Sequence, residues 1–550
     1  NQNDNCPTVA NENQTDLDGD GAGDLCDSDK DGDGVANSDD NCPTVSNSDQ
    51  TPSNTASDLG DACDVDSDMD GVYDADDAFP GDSSEWVDTD EDGTGDNEDT
   101  DAVSNGTTFL MTTSTSQNVT SLHIINTSSV PQRFSGTLYN RDGDQLGQAD
   151  TDLHSGVVAS QGRTVLTSAD LETLFSTVAW QGPAMLEVRG TAEFDLMTKL
   201  TSPSGLISNT NCVTERRVHN VEGFDSSART FVRLINTGDS SIQTIRGELR
   251  DKNGDLLGAS GAILTSQLDP KEAIWLTRED ISDLFGETWD GAASLEIVST
   301  ADDLKLLNLN FVNEETFFNF SCFESSDSGR VYLMTNSQSQ NVSETHIVNV
   351  SGGALAFTGT LYTGAGARLG TAGASLHDGS VASGGRIQIS ATDLEQRFSV
   401  SSWSGPALLE VSAGGDFELM TRLTSPSGLI SNTNCVRSGT VQNVEGQDSD
   451  VVTYIRFINE GADEITDLTG TLYDSNGSIL GAEDSVLLSS LGSKEAVWIN
   501  RNTLASMFEQ WSGEASLVVN ADHLPGLKLL NLNFVNNETF FNFSCYESGS

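Results

Sequence analysis

Thr201-Ser202-Pro203-Ser204-Gly205-Leu206-Ile207-Ser208-Asn209-Thr210-Asn211-Cys212 returns without a change at residues 424–435, 223 positions later. The same offset carries His123 to His346, Asn236 to Asn459 and Cys322 to Cys545. Residues 306–313 recur at 529–536, and residues 315–322 at 538–545. A weaker period of about 110 lies inside this one. It takes Ile125-Asn126-Thr127 to Ile235-Asn236-Thr237 and Cys212 to Cys322. Self-similarity at a fixed period means one structural unit used repeatedly. The body of the chain therefore reads as two tandem pairs, four copies in all: residues 102–214, 215–327, 328–437 and 438–550.

Each copy reads as mostly strand. Gly136-Thr137-Leu138-Tyr139-Asn140-Arg141-Asp142-Gly143 runs into a tight turn and leaves through Leu146-Gly147, with equivalents ending at Gly254 and Gly477. Asp-Gly and Asn-Gly supply the positive φ that hairpin turns need. One short helix recurs. Thr167 caps it with Asp170 three residues on, and Leu171, Leu174 and Phe175 form its apolar face. Ile281, Leu284 and Phe285, then Leu394 and Phe398, then Leu504, Met507 and Phe508 are the counterparts. A tryptophan follows each helix, at Trp180, Trp289, Trp403 and Trp511, and its fixed place before an apolar strand assigns it to the core. Short strands with turn signals and one core tryptophan per copy predict an all-β chain of four tandem immunoglobulin-like β-sandwiches.

Residues 1–101 are different. They hold 32 acidic residues and one basic residue, Lys30, a net charge of −31 in a chain whose total is −59. The spacing of the acids is regular. Asp29, Asp31, Asp33, Asn37 and Asp40 read D-x-D-x-D-G-x-x-N-x-x-D, with Gly34 after the third Asp. Asp16, Asp18, Asp20, Asp24 and Asp27 form another copy around Gly21. Asp66, Asp68, Asp70, Asp74 and Asp77 form a third around Gly71, and Asp88, Asp90, Asp92, Asp96 and Asp99 a fourth around Gly93. Alternate carboxylates on a tight loop bring their oxygens to one point. Oxygen ligands in that number suit Ca²⁺, which takes six to eight. Zn²⁺ would call for Cys and His, and no His occurs in this segment. An EF-hand loop starts alike but needs Glu at its twelfth position and flanking helices.

The segment resembles the thrombospondin type 3 repeat. Asn5-Cys6-Pro7 with Asn11 and Gln14, and Asn41-Cys42-Pro43 with Asn47 and Gln50, match its Cys-Pro half. Gly23-Asp24-Leu25-Cys26-Asp27 and Gly60-Asp61-Ala62-Cys63-Asp64 match the half carrying the second cysteine. The resemblance covers residues 1–101. It implies a string of Ca²⁺ ions in place of a hydrophobic core, held by the acids above together with Asp61 and Asp64. It also implies Cys6–Cys26 and Cys42–Cys63 disulfides. Residues 51–57 lack the leading carboxylates, so that loop is expected to be weak, and Ala78-Phe79-Pro80 replaces a third Asn-Cys-Pro. The chain opens on the tail of a loop at Asp4-Asn5-Cys6, and further repeats are expected before Asn1.

The remaining cysteines, Cys212, Cys322, Cys435 and Cys545, fall one to a copy. Equivalent cysteines of neighbouring copies are expected to pair across the junction, as Cys212–Cys322 and Cys435–Cys545, in an oxidising compartment; buried free thiols are the alternative. The acidity argues against a nucleic-acid binder, which needs a basic face, and against docking onto an anionic membrane. No run of eighteen apolar residues is present to span a bilayer. The motifs of nucleophilic, metallopeptidase, phosphate-binding and dinucleotide-binding enzymes are missing, and the six histidines are scattered, so no catalytic residue is assigned. The expectation is a secreted or cell-surface structural protein, calcium-rigidified, self-associating head to tail into a filament. The alternative is a calcium-dependent adhesin or glycan-binding ectodomain.

Overall fold

The computed structural model describes residues 5–6, 15–51, 79–81, 104–299, 303–312, 316–319, 321, 324–433, 435–520, 526–535 and 539–549. The chain forms two compact units, residues 1–103 and 104–550.

The second unit is all-β, with every strand pairing among the described residues antiparallel. Each copy builds two sheets around its own core. In the second copy one sheet runs Ala262–Leu268, Ile242–Arg250, Ala292–Ile297, Arg217–Glu222, and the other Ala273–Thr277, Arg229–Asn236, Leu304–Val312, Thr316–Asn319. Period-two alternation places the strands: in Ile242–Arg250, Ile245, Gly247 and Leu249 are buried while Arg246 is exposed. In the third copy the 18-residue strand Ala407–Thr424 serves both sheets; the first copy breaks the same stretch into Ala184–Gly190 and Phe194–Thr201.

The recurring helices are Ser168–Leu174, Arg278–Phe285, Ala391–Arg397 and Arg501–Met507. Thr167, Thr277 and Ser390 cap the first three in reciprocal boxes with Asp170, Asp280 and Asp393, and Asn500 caps the fourth. Trp180, Trp289, Trp403 and Trp511 are buried in the four cores, as expected from their position.

The hairpin turn of each copy reaches into the copy that follows. Arg141 O accepts from Ala273 N (2.8 Å), Lys252 O from Arg386 N (2.8 Å), Gly364 O from Ala496 N (2.8 Å), and Ser475 O of the fourth copy from Arg163 N of the first (2.9 Å). The head-to-tail contact closes on itself within one chain. A heterologous contact whose rotation closes makes a ring. The 223-residue offset is thus a pseudo-two-fold axis, and Phe318 and its equivalent Phe541 stack face to face (centroids 5.7 Å, interplanar angle 7°). The two stand in a cluster drawn from all four copies.

The chain termini of the pairs reinforce the closure. Residues 324–326 add to residues 417–419 of the third copy, and in the same register Glu547–Gly549 adds to residues 194–196 of the first. Cysteine pairing follows the ring and corrects the expectation. Cys212 is bonded to Cys545, not to Cys322, and Cys545 is therefore not bonded to Cys435. Cys435 is disulfide-bonded too, and Cys322 lies outside the described residues. At the axis Cys212 Sγ also lies 4.0 Å from Cys435 Sγ.

Gly477 shows how tight the closing contact is. Its φ is +79°, and a Cβ there would lie 2.1 Å from Ser160 O of the first copy. Gly477→Ala meets both a left-handed backbone cost and an overpacked contact with a main-chain atom. It is expected to destabilise residues 104–550 by about 2–3 kcal/mol. Chemical denaturation followed by tryptophan fluorescence measures this, and an unchanged midpoint would remove the fourth-to-first contact from the account.

Candidate metal centre

Within the acidic unit the described loops are held by the aspartates' own side chains. Gly19 N and Gly21 N donate to Asp16 (2.9 and 3.2 Å), Ala22 N to Asp20 (2.8 Å), and Leu17 N to Asp24 (2.8 Å). Thirteen residues on the pattern repeats: Gly34 N donates to Asp29 (3.0 Å), Val35 N to Asp33 (2.8 Å), and Lys30 N to Asn37 (3.0 Å). Gly21 and Gly34 take φ of +99° and +97°, a turn that a residue with a side chain resists. Asp20, Asp29 and Asp33 thus accept backbone N–H groups that shape the loops, and Asp16 does so through both of its oxygens.

Carboxylate oxygens converge in both loops. Carboxylate oxygens of Asp29, Asp31 and Asp33 lie within 4.8 Å of one another, and so do those of Asp16, Asp18 and Asp20. Asp29 Oδ1, both oxygens of Asp31 and Asp40 Oδ2 are buried with no hydrogen-bond donor among the described residues. Two like charges about 4 Å apart cost about 4 kcal/mol even at an effective dielectric of 20. Burial, then the charges of Asp33, Asp40 and Asp29, raise the pKa of the Asp31 carboxyl above its ordinary value. Orphaned, converging, hard oxygen donors fit a divalent cation that prefers oxygen. A bound ion would supply the positive charge these converging oxygens lack. Asp29, Asp31, Asp33 and Asp40 would hold one, and Asp16, Asp18 and Asp20 a second in a more exposed loop.

The Cys-Pro half is a polar knot. Asn47, buried, donates to Asn41 Oδ1 (2.7 Å), and its N–H donates to Asp33 Oδ2 (2.9 Å). Gln50 donates to Asp40 Oδ1 (2.8 Å) and accepts from Asn41 N (2.9 Å). Cys6 is bonded to Cys26, and Cys42 is disulfide-bonded. Cys63, Asp61 and Asp64 lie outside the described residues. So do the loops of Asp66, Asp68, Asp70, Asp74 and Asp77 and of Asp88, Asp90, Asp92, Asp96 and Asp99.

Repeated aspartate loops, a converging oxygen set and a polar Cys-Pro knot coincide with one family pattern. Residues 15–50 match the thrombospondin type 3 repeat. Such repeats bind calcium in extracellular proteins, which makes calcium the cation these loops suit. No curated protein matches the chain significantly. A solved structure titled "Structure of infectious bursal disease virus Gt strain" aligns over 82% of this chain and 84% of its own, at 8% identity and a TM-score of 0.09, and carries no argument.

The two described loops of the thrombospondin type 3 repeat are not equivalent. Asp29, Asp31 and Asp33 are half-buried, whereas Asp18 and Asp20 are exposed. Asp31→Ala is therefore expected to remove one tightly held Ca²⁺, and Asp18→Ala only a weakly held one. Equilibrium dialysis with metal analysis at low free Ca²⁺ measures the counts. Equal losses would contradict the ranking.

Sequence reasoning missed two other polar sites, both at junctions of the ring. Between the fourth and first copies, Glu514 lies 3.0 Å from His123 Nδ1, 3.1 Å from Arg163 Nη1 and 2.5 Å from Lys199 Nζ. Between the second and third, buried Glu418 pairs with His219 and with Arg217 (3.2 Å), and Arg422 with Glu222 (3.1 Å). One signal was available. Aligned by the strand that ends in Asn, the copies place His123, Arg233, His346 and Arg456 at one position, a basic residue in an apolar strand each time.

Proposed function

We propose that the protein is an extracellular, non-catalytic structural protein, a subunit of a calcium-dependent surface filament. The observation that carries this reading is the converging set of carboxylate oxygens without partners in residues 15–50, which needs calcium to be stable. Ring closure adds to it. The turn-to-edge contact and the terminal strands, which would otherwise be free to join one molecule to the next, are spent inside the chain. Polymerisation then falls to the acidic unit, whose carboxylates share ions with those of a neighbour. Light scattering and electron micrographs of the whole protein in Ca²⁺ and in chelator test this. Filaments are expected with Ca²⁺, dissociation in chelator, and a monomer when residues 1–101 are removed. Polymerisation of the truncated chain would return assembly to the sandwiches.

A second reading, a calcium-dependent adhesin, is favoured by one cavity. Met334, Thr335, Leu423, Tyr454 and Trp498 line a space of about 310 Å³ at the third and fourth copies, with Tyr454 and Trp498 edge to face (6.2 Å, 88°). A protein that stays monomeric in Ca²⁺ and binds a glycan array, with binding lost in Trp498→Ala, would establish that reading over the filament.

A further inference from the structure

The two charged junctions of the ring are related by the pseudo-two-fold axis, so one serves as a template for the other. They differ at several positions: Gln442 and Asp195 at one junction are His219 and Glu418 at the other, and one further exchange removes a carboxylate. Glu514 stands opposite Glu445 in the ladder between Thr440–Glu445 and Glu514–Val519. The same ladder position at the other junction, opposite Glu222, is Ala292. The groups that Glu514 serves are nevertheless kept. His123, Arg163 and Lys199 have His346, Arg386 and Arg422 as counterparts at the 223-residue offset.

The consequence is visible in the hydrogen bonding. Arg163 donates through Nη2 to Gln442 O (2.9 Å) and Ser516 Oγ (2.5 Å), and through Nη1 to Glu514. Arg386 donates through Nη2 to the equivalent His219 O and Ser294 Oγ (2.9 Å). Its Nη1 and Nε are buried without an acceptor among the described residues. His346 pairs with Gln388 across the ladder, two residues from Arg386 and on its face of the sheet. It is 2% exposed, and neither ring nitrogen has a partner. Arg422 keeps Glu222 but leaves Nε unpartnered. Beside Ala292 and Arg386 a cavity of about 390 Å³ opens between the two copies.

We propose that this cavity binds a small ligand through a single carboxylate, seated where Glu514 sits at the sister junction, with Arg386 in the cavity wall as its donor and His346 buried behind the wall. A buried guanidinium nitrogen and a buried imidazole without acceptors are costly unless something supplies one. A planar carboxylate is the acceptor that a guanidinium fits best. The rim narrows the class. Asp225 and Asp290 line the same cavity and are exposed, with Lys252 and Gln388 beside them. Two carboxylates at the mouth repel a second negative charge, so a dianion such as hydrogen phosphate is disfavoured. They favour hydrogen-bond donors at the ligand's outer end. The ligand class is therefore a small monocarboxylate with amino or hydroxyl groups, an amino or hydroxy acid.

Titration calorimetry of the whole protein in Ca²⁺, with acetate, glycine and hydrogen phosphate as separate probes, tests the site. Acetate and glycine are expected to bind at one site per chain, and phosphate at least about tenfold more weakly. Ala292→Glu supplies the carboxylate from the chain. It is expected to abolish binding of both probes and to raise the thermal midpoint. Glu514→Ala opens the sister junction, and a second acetate site per chain is expected. Should that variant not fold, Ala292→Glu decides alone. No heat from acetate or glycine with the unsubstituted protein, unchanged binding in Ala292→Glu, or phosphate binding tighter than acetate would each overturn the proposal.

Discussion

Chelation of calcium is expected to unfold residues 1–101 and to leave residues 104–550 folded. The acidic unit has little else to hold it. Of its described apolar side chains, Leu17, Leu25 and Val45 are 54%, 62% and 42% exposed and Val35 and Phe79 half-buried, so among the described residues no hydrophobic core opposes the repulsion of 31 net negative charges. What is buried there is polar: Asn47, the two cysteines and carboxylate oxygens of Asp29, Asp31 and Asp40 without donors. Where ligands converge only in the folded state, the binding free energy of the ion is folding free energy. The ring is the opposite case, with four apolar cores of its own. Circular dichroism with protease mapping in EDTA separates the two. Cleavage is expected throughout residues 1–101, on reducing gels because Cys6–Cys26 would keep fragments joined, with the body intact. An acidic unit that stays uncut without calcium would sink the metal-core account.

What could be read from the sequence was what is local. A calcium loop gathers its ligands within a dozen residues, so the spacing from Asp29 to Asp40 already placed the oxygens that the fold brings together. The helices were equally legible, because Thr167 and Asp170 cap each other across three residues. The tryptophans followed from a fixed position between helix and strand.

The ring was not legible. A repeat offset says which residues are equivalent, not which ones touch. Cys212 and Cys322 are equivalent in neighbouring copies, yet the axis joins Cys212 to Cys545 across 333 residues. Burial of charge was hidden for the same reason. Arg233 and Arg456 are fully buried at the first-to-second and third-to-fourth junctions, against Trp275 and Trp498, and burial pushes them down to about 9 and about 10. Nothing in a strand reading Phe231-Val232-Arg233-Leu234 says that both of its faces are covered.

Glu514→Ala is expected to destabilise residues 104–550 by about 3–5 kcal/mol, the usual cost of removing one partner from a buried charge cluster. The carboxylate meets His123, Arg163 and Lys199 at once, and its loss leaves Lys199 with Glu445 and Arg163 Nη1 with no acceptor. The pH dependence distinguishes this from a packing defect. Burial alone would raise the Glu514 pKa, but His123, Lys199 and Arg163 outweigh it and hold the carboxyl well below its ordinary value of 4.5. Its contribution is therefore present above pH 4.5 and is lost as pH falls below that value. Burial lowers His123, despite Glu514, and lowers His346 beside Arg386, Arg422 and His219. A buried neutral histidine loses stability as pH falls through 6.5, because the unfolded chain takes up the proton first. The unsubstituted ring should thus weaken progressively from pH 7 downward, with a further loss below 4.5. Glu514→Ala should start lower and show a smaller last step, the remainder coming from Glu418, which His219 and Arg217 also hold low. Denaturant midpoints across this range decide the matter. A variant within about 0.5 kcal/mol of the original protein, the scatter of ordinary surface substitutions, would show that Glu514 does not hold the fourth copy to the first.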